Sequence, residues 1–127
     1  MSPVSTKRTV LGQLTVCCGC CCGDVGRGRP AVPVEWLKTE WRRRGLLKKI
    51  QLTISGCVGP CDVPNVVVVT CGTGTEWLGK ITELSQYEAL VCWASRSWQE
   101  GMLLPLPEGL RAHRLDPFTD PRATSRP

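Results

Sequence analysis

The chain has 127 residues, 42% of them hydrophobic and 21% charged, which suits one globular domain with a core and tails. No stretch approaches the roughly 20 apolar residues of a membrane span. A net charge of +5 comes with a single Phe and a single Tyr, so the interleaved basic and aromatic surface that grips single-stranded nucleic acid is missing.

Residues 1–8 are a polar, flexible N-terminus containing Pro3. Lys7 and Arg8 precede the short apolar run Thr9–Val16. That run contains Gln13, lacks an Ala-x-Ala site and continues straight into cysteines, so it does not read as a signal peptide. Val16 is also too large for the position before a lipidated cysteine. The β-branched run reads instead as a first strand. Five cysteines follow in six positions: Cys17, Cys18, Cys20, Cys21 and Cys22. Gly23–Pro33 carries three glycines and two prolines and reads as loop.

From Val34 the period changes. Val34, Leu37, Trp41 and Gly45 or Leu46 recur at helical spacing, with Pro33 at the first turn and Gly45 as the stop. Ile50–Ser55 alternates as a half-buried strand. Gly56–Cys61 is a glycine-rich loop holding Cys57 and Cys61. Val66–Thr70 is a β-branched run expected to be buried on both faces. The turn Gly72-Thr73-Gly74 leads into a hairpin strand, Thr75–Leu78. Glu83–Gln99 is a second helix, with Leu84, Tyr87, Leu90, Val91, Ala94 and Trp98 on one side. The domain spans residues 9–100, and residues 101–127 form a Pro/Arg-rich C-terminal tail with scope to pack locally. The order is β-α-β, then β-β-α: a small mixed sheet flanked by helices.

A helical crossover makes the first two strands parallel. Their C-terminal ends then lie side by side, which brings cysteines some 35 residues apart in sequence to one edge of the sheet. Nine cysteines cannot all pair within one chain, and adjacent cysteines suit structural disulfides poorly. The thiols therefore point to a reducing, cytoplasmic setting and to metal or redox chemistry. Closely spaced thiolates select iron–sulfur clusters, zinc or copper(I). Cys71 and Cys92 read as buried thiols and His113 as an exposed side chain. The five tryptophans read mostly as core, with Trp36 and Trp77 placed to shield a cluster or face a partner.

The run Ile54-Ser55-Gly56-Cys57-Val58-Gly59-Pro60-Cys61, the proline after it and Val66–Val69, together with the early cysteines, resemble the thioredoxin-like 2Fe-2S ferredoxins. The same pattern is similar to the small 2Fe-2S subunit of NADH dehydrogenases. The resemblance covers about Thr15 to Trp98 and implies a thioredoxin-like α/β fold and an electron carrier rather than an enzyme. It implies one 2Fe-2S cluster held by Cys57, Cys61 and two upstream cysteines. Cys17 and Cys22 match the spacing of the dehydrogenase subunits. Cys18 with Cys22, or Cys17 with Cys21, is also sterically conceivable, and Cys18, Cys20 and Cys21 are left as spare thiols or exchange ligands. The glycines around the cysteines would let backbone amides reach sulfur, and the resemblance places a cis proline at Pro64.

The partner implied is a reductase or an electron-accepting enzyme. Members of this family are often dimers, so a homodimer is allowed, and related ferredoxins accompany cobalamin-pathway enzymes. The basic block Lys38, Arg42–Arg44, Lys48 and Lys49 is either a solvated helix face or a docking patch for an acidic partner. Arg111, Arg114, Arg122 and Arg126 add charge to the tail. Two other functions compete: a zinc- or copper-binding protein, and a thiol–disulfide oxidoreductase built on Cys17-x-x-Cys20. About ten loop residues separate those cysteines from the helix at Val34, whereas a lowered thiol pKa needs a helix N-terminus close by.

Overall fold

Two parallel strands carry the site. β1 (Gly12–Cys17) and β2 (Ile50–Ser55) pair in register from Gly12 opposite Ile50 to Cys17 opposite Ser55. The computed structural model describes residues 3–19 and 21–119. Cys20, Arg122 and Arg126 lie outside the described residues.

α1 (Val34–Arg43) joins β1 to β2. Leu37 and Trp41, one turn apart, are buried on one face. The Trp41 indole N–H donates to the Ile50 carbonyl at 2.8 Å, tying the helix to the start of β2. Gly45 ends the helical stretch with a φ of 63°, in the left-handed region that glycine adopts without a side-chain clash. β3 (Val67–Cys71) pairs antiparallel with the other side of β1, and the two-residue turn Gly72-Thr73 returns the chain as β4 (Gly74–Leu78). α2 (Leu84–Glu100) starts at Glu83, where the Gln86 side-chain oxygen accepts the backbone N–H groups of Thr82 and Glu83, each at 2.8 Å.

The segment read as a tail adds two elements. α3 (Glu108–Arg111) packs Leu110 into the core beside Leu106 from the segment before it, and β5 (Arg114–Leu115) pairs with β4. The sheet order is β2-β1-β3-β4-β5. Leu14, Val16, Val67, Val69 and Leu78 face α1 and α2 in one core. Cys17, Val66 and Val68 face the other way, where Val58, Val63 and Trp77 cover them in place of a helix. The valine run is thus buried on both faces through Val69, while Thr70 is exposed. No helix among the described residues is long and apolar enough to cross a membrane.

Candidate functional site

β1 ends at Cys17, and the loop after β2 holds Cys57 and Cys61, so the parallel register alone brings these two segments together. A narrow cleft, too tight to admit a water molecule, lies between them. Five cysteines line it: Cys17, Cys21, Cys22, Cys57 and Cys61. Cys17 and Cys22 are buried, Cys21 is half-buried, and Cys57 and Cys61 are exposed at the mouth. All four site residues expected from the sequence meet here. Cys21, held open there as an alternative ligand, joins them. Cys18 leaves the cleft: its sulfur sits 3.3 Å from where a side chain on Gly23 would begin.

The thiols fall into neighbouring sets. Cys22 lies close enough to act on Cys17, and Cys57 on both Cys17 and Cys61. Burial first, then the Cys22 neighbour, pushes the Cys17 thiol from 9.0 up to about 12, with the Val58 amide pulling the other way. Cys21, through like charge and a hydrogen bond, pushes Cys61 up as well. Among the described residues, no three His, Cys, Asp or Glu side chains converge on a single point as a mononuclear ion site requires.

Backbone amides do reach sulfur, but the glycines are not the donors. The Val66 N–H donates to Cys22 Sγ at 3.3 Å, and the Val58 N–H serves Cys17. Gly59, at a φ of 129°, lets the Cys57–Cys61 loop turn tightly enough to present Val58.

Asn65 is the residue that sequence reasoning missed. It has no exposed surface. Its side-chain oxygen accepts the Gly23 N–H at 2.9 Å and its amide donates to the Ala31 carbonyl at 3.2 Å, binding the cysteine loop to the start of β3. The signal was one amide between a proline and four valines, which must be satisfied internally if the run is buried. The cis peptide bond expected at Pro64 falls one residue later, between Pro64 and Asn65. Tyr87 lies beneath the cysteines with its hydroxyl buried and without a hydrogen-bond partner among the described residues. Burial holds its phenol above the ordinary value.

Several expected placements change. Cys92 is exposed, because it sits on the outer face of α2 between the buried Val91 and Trp93. Cys71 is half-buried, and its hydrogen bond with Thr73, 3.1 Å away, lowers its thiol pKa. His113 is half-buried rather than exposed. Its Nδ1 lies 2.9 Å from the Gly79 carbonyl and its Nε2 3.0 Å from the Gln86 amide nitrogen, so the ring donates through Nδ1 and accepts at Nε2. Trp77 packs on the cysteine side of the sheet, while Trp36 packs with the helix-side core.

The basic block lies away from the cleft. Leu11 bonds to Lys49 just before the β1–β2 pair opens, six residues from Cys17 and Ser55, or about 20 Å at strand rise. Part of the block is already engaged, since Glu40 holds Arg43 at 2.6 Å and Arg44 at 3.3 Å.

No protein-family profile matches the chain, and no curated protein matches its sequence. Among solved structures it is similar to the thioredoxin-like [2Fe-2S] ferredoxin from Aquifex aeolicus. The alignment has a TM-score of 0.50 at 16% identity and covers 85% of this chain and 99% of the other. The fold is thioredoxin-like. At that identity the likeness is one of fold. In the thioredoxin-like frame the cleft sits where β1 ends and the loop after β2 begins, and α1 starts a long loop away from the cysteines.

Proposed function

We propose that this protein is an electron carrier that holds one 2Fe-2S cluster in the cleft, bound by Cys17 and Cys22 from the β1 side and by Cys57 and Cys61 from the loop after β2. The observation that carries this is the convergence of the cysteine side chains around one small cleft from two separate segments. The donor set is all soft sulfur, which fits iron–sulfur chemistry, and the amides of Val58 and Val66 can offset charge on the sulfurs. The Aquifex aeolicus protein of similar fold is a [2Fe-2S] ferredoxin, which supports the same reading. When bound, the cluster would supply one-electron chemistry.

The chain's own part is to hold and shelter. Buried Cys17 and Cys22 anchor the inner side, Val66 and Val58 wall it against water, and exposed Cys57 and Cys61 leave the outer edge near a partner. A cobalamin-linked reductase system is one candidate for the pathway served.

The test is anaerobic purification with iron and sulfide counted on the same sample. Visible absorption bleached by dithionite, with two irons and two sulfides per chain, is the expected result. A colourless protein that takes up neither iron nor sulfide on anaerobic reconstitution would sink the reading. Stoichiometric zinc would replace it with a zinc site.

A further inference from the structure

The wall that closes the cleft has a second side. Val58, Gly59 and Pro60 line the cysteine cleft, and the same three residues line a groove of about 600 Å³. Its floor is apolar. Trp77, which covers Cys17 and the valine strand, meets Phe118 edge-on at 5.6 Å and 88°. Phe118 is itself 70% exposed, a large aromatic ring held in solvent with no core to fill. Chain return through β5 is what brings it there.

The rim is acidic, on a protein of net charge +5. Asp62, next to Cys61, and Asp116 stand on opposite segments of the groove, and both are exposed. Among the described residues neither forms an ion pair, whereas Arg114 on β5 is held by Glu76 at 3.3 Å. Lys49 lies at the other end of the strands, away from the cysteines.

We infer that this groove is where the redox partner docks, and that the partner is a protein whose exposed cofactor edge is ringed by lysines and carries an apolar side chain to seat against Trp77 and Phe118. The inference rests on the electron-carrier reading. Complementary charge steers such an encounter, and aromatic anchors in a partly enclosed groove hold it. Docking here sets the partner against Val58–Pro60, within the Cys57–Cys61 loop that carries the two exposed cysteines. One electron then passes from the reduced carrier to the partner's cofactor, with no other atom moving.

Cytochrome c serves as the probe, being a basic redox protein with an exposed haem edge. The full-length chain is mixed with it at low ionic strength and treated with a carbodiimide, which joins carboxylates to lysines in contact, and the links are mapped by mass spectrometry. Links at Asp62 or Asp116 are expected. The Asp62→Asn/Asp116→Asn variant should lose roughly tenfold or more of the adduct. Its rate of cytochrome c reduction should fall by a similar factor at unchanged iron content. Links confined to other carboxylates, or an adduct that survives in that variant, would overturn the inference. A rise in adduct on Arg122→Ala/Arg126→Ala would assign the groove to the chain's own last residues and overturn it too. Cross-linking needs no cluster, so a protein without iron refutes the carrier reading while the links still decide the groove.

Discussion

Replacing Asn65 with alanine tests the claim that one buried amide holds the cysteine loop in place. The change removes an acceptor from the Gly23 N–H at 2.9 Å and a donor from the Ala31 carbonyl at 3.2 Å. Ala31 is exposed, so water can replace the amide there, but Gly23 is half-buried and its N–H loses a fixed partner. An unmet buried group costs about 1–3 kcal/mol, and the vacated amide volume adds to it. The sum is about 2–3 kcal/mol, a large part of the stability of a domain this size. Urea unfolding of the metal-free protein should show it as a lower midpoint at an unchanged slope. Iron uptake on reconstitution should fall as well, because Cys21 and Cys22 sit on the loop that Asn65 ties down. Leu110→Ala is the control: it costs a similar amount through a core cavity on the helix side but should leave uptake intact. A loss below about 0.5 kcal/mol in Asn65→Ala, or equal iron uptake in the two variants, would refute the reasoning.

Three further outcomes are expected. Serine at Cys17, Cys22, Cys57 or Cys61 should each lower iron content or shift the visible spectrum, while serine at Cys18 or Cys92 should change neither, read by metal analysis and absorption. Because burial holds the Cys17 thiol up to about 12, the folded chain keeps that proton more tightly than the unfolded one. Metal-free stability should therefore be full below pH 9 and decline between 9 and 12, by at most ~1.4 kcal/mol per pH unit, and Cys17→Ala should flatten the slope between 9 and 10 in urea titrations. Leu106→Ala should cost about 2–4 kcal/mol, since a side chain only 3% exposed is lost from the core; a cost near zero would return that segment to the status of a tail.

Where a period or a breaker dominated, the chain was legible. β2 alternates over Ile50–Ser55 and is found with those bounds, and α1 begins at Val34, straight after Pro33, whose ring keeps the residue before it out of the helical region. The parallel pairing followed from the crossover, and with it the meeting of the two cysteine segments, which needs no knowledge of any side chain. Edges were less readable. β1 starts at Gly12 rather than Thr9: a side chain on Gly12 would run into Leu103 and the Thr70 carbonyl, a close approach no local pattern shows.

What lay beyond reach was set by contacts distant in sequence. A two-residue strand carries no period, so Arg114–Leu115 could only be seen once Trp77 and Leu78 were there to pair with it. That pairing matters for function as much as for fold. It turns the chain back across the open face of the sheet, puts Phe118 against Trp77, and places Asp116 opposite Asp62. Composition located the positive charge and so suggested where a partner of opposite sign would sit. The register puts Lys49 about 20 Å along the strands from the cysteine end of the pair. Electron transfer slows steeply with distance, so a partner served by this cleft gains more from the short wall of Val58–Pro60 than from the larger charge at the far end of the sheet.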